Sequence, residues 1–103
     1  MPFVQIDTDS VNDFDHVSVS VGTTAAQLWS SDALLLRGIG VKADPANSAT
    51  IYIGKSDVTA NTTAATDGFP LAPGEELFLP LRDASIVYAR SGSESQKAFI
   101  VVV

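Results

Sequence analysis

Apolar and polar residues alternate along this chain in short runs, and the repeat is two residues rather than the three to four of a helix. Residues 16–21 set Val17, Val19 and Val21 on one face and Ser18 and Ser20 on the other, the pattern of a half-buried antiparallel strand, with Gly22 and Thr23 closing it. A short apolar segment, 26–29, precedes a stronger one, 34–41. In that stretch Leu34 and Leu36 share one parity while Ile39 and Val41 share the other, so a one-residue irregularity at Gly38 or Gly40 is expected. The turn-forming run Asp44-Pro45-Ala46-Asn47-Ser48 then predicts a hairpin from this strand to 50–53, with Ile51 and Ile53 facing the core and Tyr52 the other side.

Residues 57–67 are rich in Thr, Ala and Asn and read as an exposed loop, after which Phe69-Pro70-Leu71 re-enters the apolar layer. Pro73-Gly74 marks a turn that uses glycine's freedom at positive φ. In 76–81, Leu77, Leu79 and Leu81 alternate, and Pro80, lacking an amide proton, belongs on an edge or at a strand end. Two last strands, 85–90 and 97–103, flank the turn residues 91–95. No dozen-residue window keeps helical spacing behind a capping residue. The expected fold is all-β: one domain over 1–103, an antiparallel β-sandwich or jelly-roll-like arrangement of seven to nine short strands, with 1–15 an acidic N-terminal segment that reads as an arm.

Composition narrows the function classes. The net charge of −6 and six scattered basic residues argue against nucleic acid and anionic membranes as partners. There is no cysteine, hence no disulfide and no thiolate metal site, and no apolar run long enough to span a bilayer as a helix. The start of the chain lacks the features of a signal peptide, so synthesis in the cytoplasm is expected. With 46% apolar and only 17% charged residues, against about 25% charged in a typical domain, some apolar surface is expected to lie in an interface.

Candidate chemistry is sparse. His16 is the only histidine and stands at the start of an alternating strand, the place of a rim residue; no G-x-S-x-G elbow, P-loop or dinucleotide fingerprint is present. The chain therefore reads as a non-enzyme with no catalytic residues and no cofactor. Asp7, Asp9, Asp13 and Asp15 are spaced like oxygen ligands for calcium, but the run lacks the glycine and terminal glutamate of an EF-hand loop, so a solvated acidic linker is the leading reading and a bound cation the minor one. Asn61-Thr62-Thr63 matches the glycosylation pattern by chance in a cytoplasmic product. Trp29, Tyr52 and Tyr88 could line a sugar-binding groove, although scattered aromatics more often pack in cores or interfaces.

Three stretches in order, Val19-Ser20-Val21-Gly22-Thr23-Thr24-Ala25, then Thr50-Ile51-Tyr52-Ile53-Gly54 with Ser56-Asp57-Val58-Thr59, then Gly68-Phe69-Pro70-Leu71-Ala72-Pro73-Gly74-Glu75, together with Ile86-Val87-Tyr88-Ala89, resemble small structural proteins of tailed-bacteriophage particles, of the capsid decoration (cement) or head-fibre type. The resemblance runs from Val17 to Ala89 and leaves the two ends unmatched. It implies a β-rich virion protein without catalytic residues, located on the capsid surface. The function expected from it is decoration and stabilisation of the capsid by binding between major capsid subunits, as a homo-oligomer, a trimer at a local threefold position. The alternative is a receptor- or carbohydrate-binding β-module of a phage fibre or tail. The contacts are expected at the apolar ends, Phe3, Val4 and Ile6 and Phe99, Ile100, Val101 and Val103, together with Trp29. The run 99–103 is apolar at both parities, so it is expected either inside the sandwich or paired across a subunit boundary.

Overall fold

The computed structural model describes residues 14–30, 37–61 and 63–103. Eight strands, β1 (Asp15–Val21), β2 (Ala26–Gln27), β3 (Ile39–Ala43), β4 (Ile51–Gly54), β5 (Phe69–Leu71), β6 (Glu76–Leu79), β7 (Tyr88–Ser91) and β8 (Gln96–Val102), are joined by loops and one 3-10 turn at Ala84–Ile86. They form two four-stranded antiparallel sheets, ordered β1-β8-β3-β6 and β2-β7-β4-β5. Four pairings are nested one inside the other: β1 with β8, β2 with β7, β3 with β6 and β4 with β5. Two further pairings, β3 with β8 and β4 with β7, weld the folded ribbon into two sheets. This is the connectivity of an eight-stranded jelly roll, so the all-β sandwich expected from the period-two pattern is the fold.

The inner faces carry the alternating residues that the sequence singles out. Ile39, Val41 and Ala43 of β3 and Ala98, Ile100 and Val102 of β8 lie against Ile51 and Ile53 of β4, Leu71 of β5 and Ala89 of β7, all buried. Removing such side chains from water at roughly 25 cal/mol per Å² is the main force holding the sheets together. Leu77, Leu79 and Leu81 pack against this core but stay partly exposed, because β6 is an edge strand and nothing described lies beyond it. Val17 has inward parity yet is 40% exposed, since the two residues of β2 are too few to roof the start of β1.

Two expectations require correction. The turn at Asp44 is present, with the Asn47 amide donating to the Asp44 carbonyl, but β3 and β4 do not form a hairpin. They lie in different sheets, because each finds a better partner far along the chain, β8 for β3 and β7 for β4. The strand expected over 85–90 begins instead with the 3-10 turn, capped by Asp83, and pairs only from Tyr88. Gly38, one of the two positions expected to be irregular, has φ +149° and stands immediately before β3; residues 34–36, the first half of the expected strand, lie outside the described residues.

Both ends of the sandwich are tied differently. At the end holding the loops 22–25, 44–50, 72–75 and 92–95, the buried Gln96 side chain accepts the amides of Ser48 and Ala49 and donates to Ser48 Oγ and the Glu94 carbonyl. Asn47 spans the same gap, donating to the Lys97 carbonyl and accepting its amide. At the opposite end Asp67 organises the 59–67 loop: its carboxylate accepts from Thr59 Oγ1 at 2.6 Å and from the amides of Asn61 and Ala64. The loop is exposed as expected, except that Val58 at its entrance is buried.

Candidate functional site: an apolar row across the outer face of one sheet

Register decides which outward side chains stand side by side. In the β1-β8-β3-β6 sheet, His16 is opposite Val101, Val101 opposite Gly40 and Gly40 opposite Phe78, so these four form one row across all four strands. The next row reads Ser18, Phe99, Lys42 and Glu76. Phe78 is 48% and Phe99 42% exposed, and Phe14 stands beside the row with its ring 6.4 Å from that of His16.

Gly40 gives the row its relief. A Cβ there would approach Val101 Cγ1 to 2.9 Å and Phe78 Cδ1 to 3.8 Å, so the missing side chain leaves a floor between two apolar walls. The result is a shallow groove of about 540 Å³ bounded by His16, Lys42, Glu76, Phe78, Phe99 and Val101. Lys97 projects along the same face with Nζ 5.8 Å from the centre of the Phe99 ring. Among the described residues the strands of this face carry Lys42 and Lys97 outward against the carboxylate of Glu76, whereas the chain as a whole has a net charge of −6. A cationic rim around an apolar floor suits a protein surface that offers apolar side chains beside carboxylates.

The expected contact residues are distributed unevenly. Phe99 and Val101 lie on this face and are available. Ile100 points into the core and is 2% exposed, and Trp29 is likewise buried at 8%, so neither side chain can meet a partner. The backbone of residues 99–102 is paired on both sides within the chain, by β1 and β3, and the Val103 carbonyl accepts the Arg37 and Gly38 amides while its own amide donates to the Gly38 carbonyl. Pairing of this strand across a subunit boundary is therefore ruled out, because no main-chain edge is left to offer. Phe3, Val4 and Ile6, and Asp7, Asp9 and Asp13 of the candidate cation cluster, lie outside the described residues. Asp15 stands at the start of β1, where its Oδ1 accepts the His16 amide.

Sequence reasoning missed Phe78 and Gly40. Phe78 sits in a run whose leucines carry the obvious alternation, and Gly40 was considered only for backbone irregularity; the signal that picks them out is cross-strand register, which needs the topology. Of the three aromatics considered for a sugar groove, Tyr52 and Tyr88 share the outer face of the other sheet, with Arg90 opposite Tyr52, while Trp29 is in the core. Arg90 is committed there to structure, donating through Nε to the Thr23 carbonyl and through Nη1 to the Val58 carbonyl.

No family model, no curated protein and no solved structure matches this chain.

Proposed function

We propose that this chain is a structural, non-enzymatic protein of a phage particle that decorates and stabilises the capsid by binding between major capsid subunits. The observation that carries the reading is the apolar row His16, Val101, Gly40 and Phe78 on a rigid four-stranded sheet, left open to solvent. A monomeric soluble domain gains nothing by exposing two phenylalanines in neighbouring rows of one sheet face, whereas a clamp gains buried area wherever the face meets a shell. The sheet needs no rearrangement to bind, and many copies on a shell act together, so a modest interface suffices. The motifs between Val17 and Ala89 that resemble tailed-phage virion proteins support the same reading, and the jelly-roll connectivity is one that capsid proteins use.

The decisive experiment is the mass of the purified protein by light scattering, followed by co-sedimentation with emptied capsids of its particle. An oligomer of fixed size that pellets with the shells supports the reading, including its trimeric form; a protein that stays in the supernatant sinks it. The second reading, a carbohydrate- or receptor-binding module, is favoured by the shared outward face of Tyr52 and Tyr88. Binding on a glycan array that is lost in Tyr52→Ala would favour it over the first.

A further inference from the structure

Among the described residues the two sheets have four edge strands, and two are too short to offer a partner much. β2 is two residues long. β5 is three residues long with Pro70 at its centre, which offers no amide. β1 is longer, but its outward residues are His16, Ser18 and Ser20. β6 is apolar at three of its four positions, Leu77, Phe78 and Leu79, is hydrogen-bonded on one side to β3, and has no described strand on the other. Natural edges are blunted by a charge, a bulge or a proline within the strand; here the charge, Glu76, only opens the strand and the proline, Pro80, comes after it has ended, which leaves Leu77, Phe78 and Leu79 as an apolar stretch.

β6 also runs between two apolar hollows. On its outer side is the groove floored by Gly40. On its inner side the sandwich gapes into a cleft of about 450 Å³ lined by Ile53, Phe69, Leu79, Leu81, Ile86 and Val87. Leu77 borders both. Phe69 (57% exposed) and Ile86 (45%) stand at the mouth of the cleft, so its apolar lining faces water. Each hollow has one lysine at its border, Lys42 outside and Lys55 inside, and among the described residues Glu76 is the only carboxylate in either lining.

We propose that the free edge of β6 is a docking edge for an extended strand of a partner protein, one that is apolar at successive positions and flanked by carboxylates. A strand added beside β6 sends alternate side chains to opposite faces, so one set fills the outer groove against Phe78 and the other fills the inner cleft against Leu79 and Phe69. The main chain supplies affinity through the edge that the described strands leave unpaired, and the two hollows supply selectivity. Lys42 and Lys55 meet the flanking carboxylates. The inference rests on the reading of the chain as a particle-binding protein only in who supplies the strand.

The test is amide hydrogen exchange on the full chain, alone, bound to emptied capsids, and titrated with a capped eight-residue peptide of alternating Val, Phe and Ile with Asp at each end. The expected result is at least tenfold slower exchange within Glu76–Leu79, in both the peptide and the capsid samples, with β1 unchanged. A peptide of the same length and charge with Pro at alternate positions, which cannot pair, should give no slowing, and Phe78→Lys should weaken the effect of the pairing peptide about tenfold. Equal binding of the Pro-containing peptide, or slowing at β1 instead, overturns the proposal. Slowing at β6 that grows with the concentration of the chain alone makes a second copy the occupant and overturns it as well. Capsid binding that leaves β6 exchange unchanged overturns this inference and spares the proposed function. A chain that ignores capsids while the peptide slows β6 does the reverse.

Discussion

Gln96 holds Ser48 from both sides: its Oε1 accepts the Ser48 amide at 2.9 Å, and its Nε2 donates to Ser48 Oγ at 3.0 Å. Gln96 is 2% exposed, and the same side chain also satisfies the Ala49 amide and the Glu94 carbonyl. A fully used buried amide of this kind fixes the turn between β3 and β4 against β8, which carries the chain from one sheet to the other. Gln96→Leu keeps the volume and strands these groups, so it should lower stability by about 2–4 kcal/mol, since each buried group left without a partner costs about 1–3 kcal/mol. Urea denaturation followed by tryptophan fluorescence reads this directly, with the slope of the transition unchanged.

Gly38 and Gly74 both have positive φ, +149° and +88°, but only one is also crowded. A Cβ on Gly38 would fall 2.1 Å from the Leu79 carbonyl oxygen, while one on Gly74 would meet nothing nearer than Pro45 Cγ at 4.0 Å. Gly74→Ala should therefore cost only the backbone strain, about 1–2 kcal/mol. Gly38→Ala should cost clearly more, because the start of β3 must also move away from the end of β6. In the turn before β8 the positive φ (+64°) falls on Ser95 rather than on nearby Gly92, so Ser95→Gly should be neutral or slightly stabilising. Thermal unfolding of the three variants side by side gives the ranking.

Asp67 and Asp83 should make the fold acid-sensitive. The Thr59 hydroxyl, with the amides of Ala64, Asn61 and Thr63, holds the Asp67 carboxyl below its ordinary value of 3.8. The Ser85 hydroxyl and amide do the same for Asp83. A carboxyl whose pKa is depressed on folding contributes stability that is present above the unfolded value and lost as pH falls through the folded one. The urea midpoint should therefore fall as pH drops below about 4, and Asp67→Asn should flatten that fall while lowering the midpoint at neutral pH. A wild-type midpoint that is constant down to low pH would show that these hydrogen bonds do not hold in solution.

Phe78 and Val101 should matter for binding and little for folding. Phe78→Ser and Val101→Ser remove apolar surface from the outer face without opening the core, so unfolding midpoints should stay within about 0.5 kcal/mol of the parent, as for most surface changes. Co-sedimentation with capsids should weaken about tenfold or more in each, as for truncation of an anchoring side chain. Loss of stability without loss of binding would assign the row to the fold instead.

The period-two pattern made the strands legible: β1, β3, β4, β6 and β8 all lie where the alternation of Val, Ile and Leu puts them, because burying one face of a strand leaves that mark on the sequence whatever its partner is. Partner choice leaves no such mark. The Asp44 turn looks the same whether it closes a hairpin or crosses between sheets, and only the competition of β8 for β3 decides it. The apolar ends were recognised, but alternation cannot say that Ile100 goes inward while Phe99 goes outward until one face is known to be covered. The row of His16, Val101, Gly40 and Phe78 draws one residue from each of four distant strands, and no local window contains it.

The nested pairing also sets the order in which this molecule can come into being. β8 is the one strand that joins both β1 and β3, so the first sheet has no centre until the residues of β8 are in place. Until then β1 has no partner in its sheet, and β3 has only β6. Closure between Asp15 and Val102 is a contact between positions almost a whole chain apart, which makes folding slow and late. A chain in which β8 has not yet joined therefore has a complete β2-β7-β4-β5 sheet with no second sheet to close over its apolar inner face.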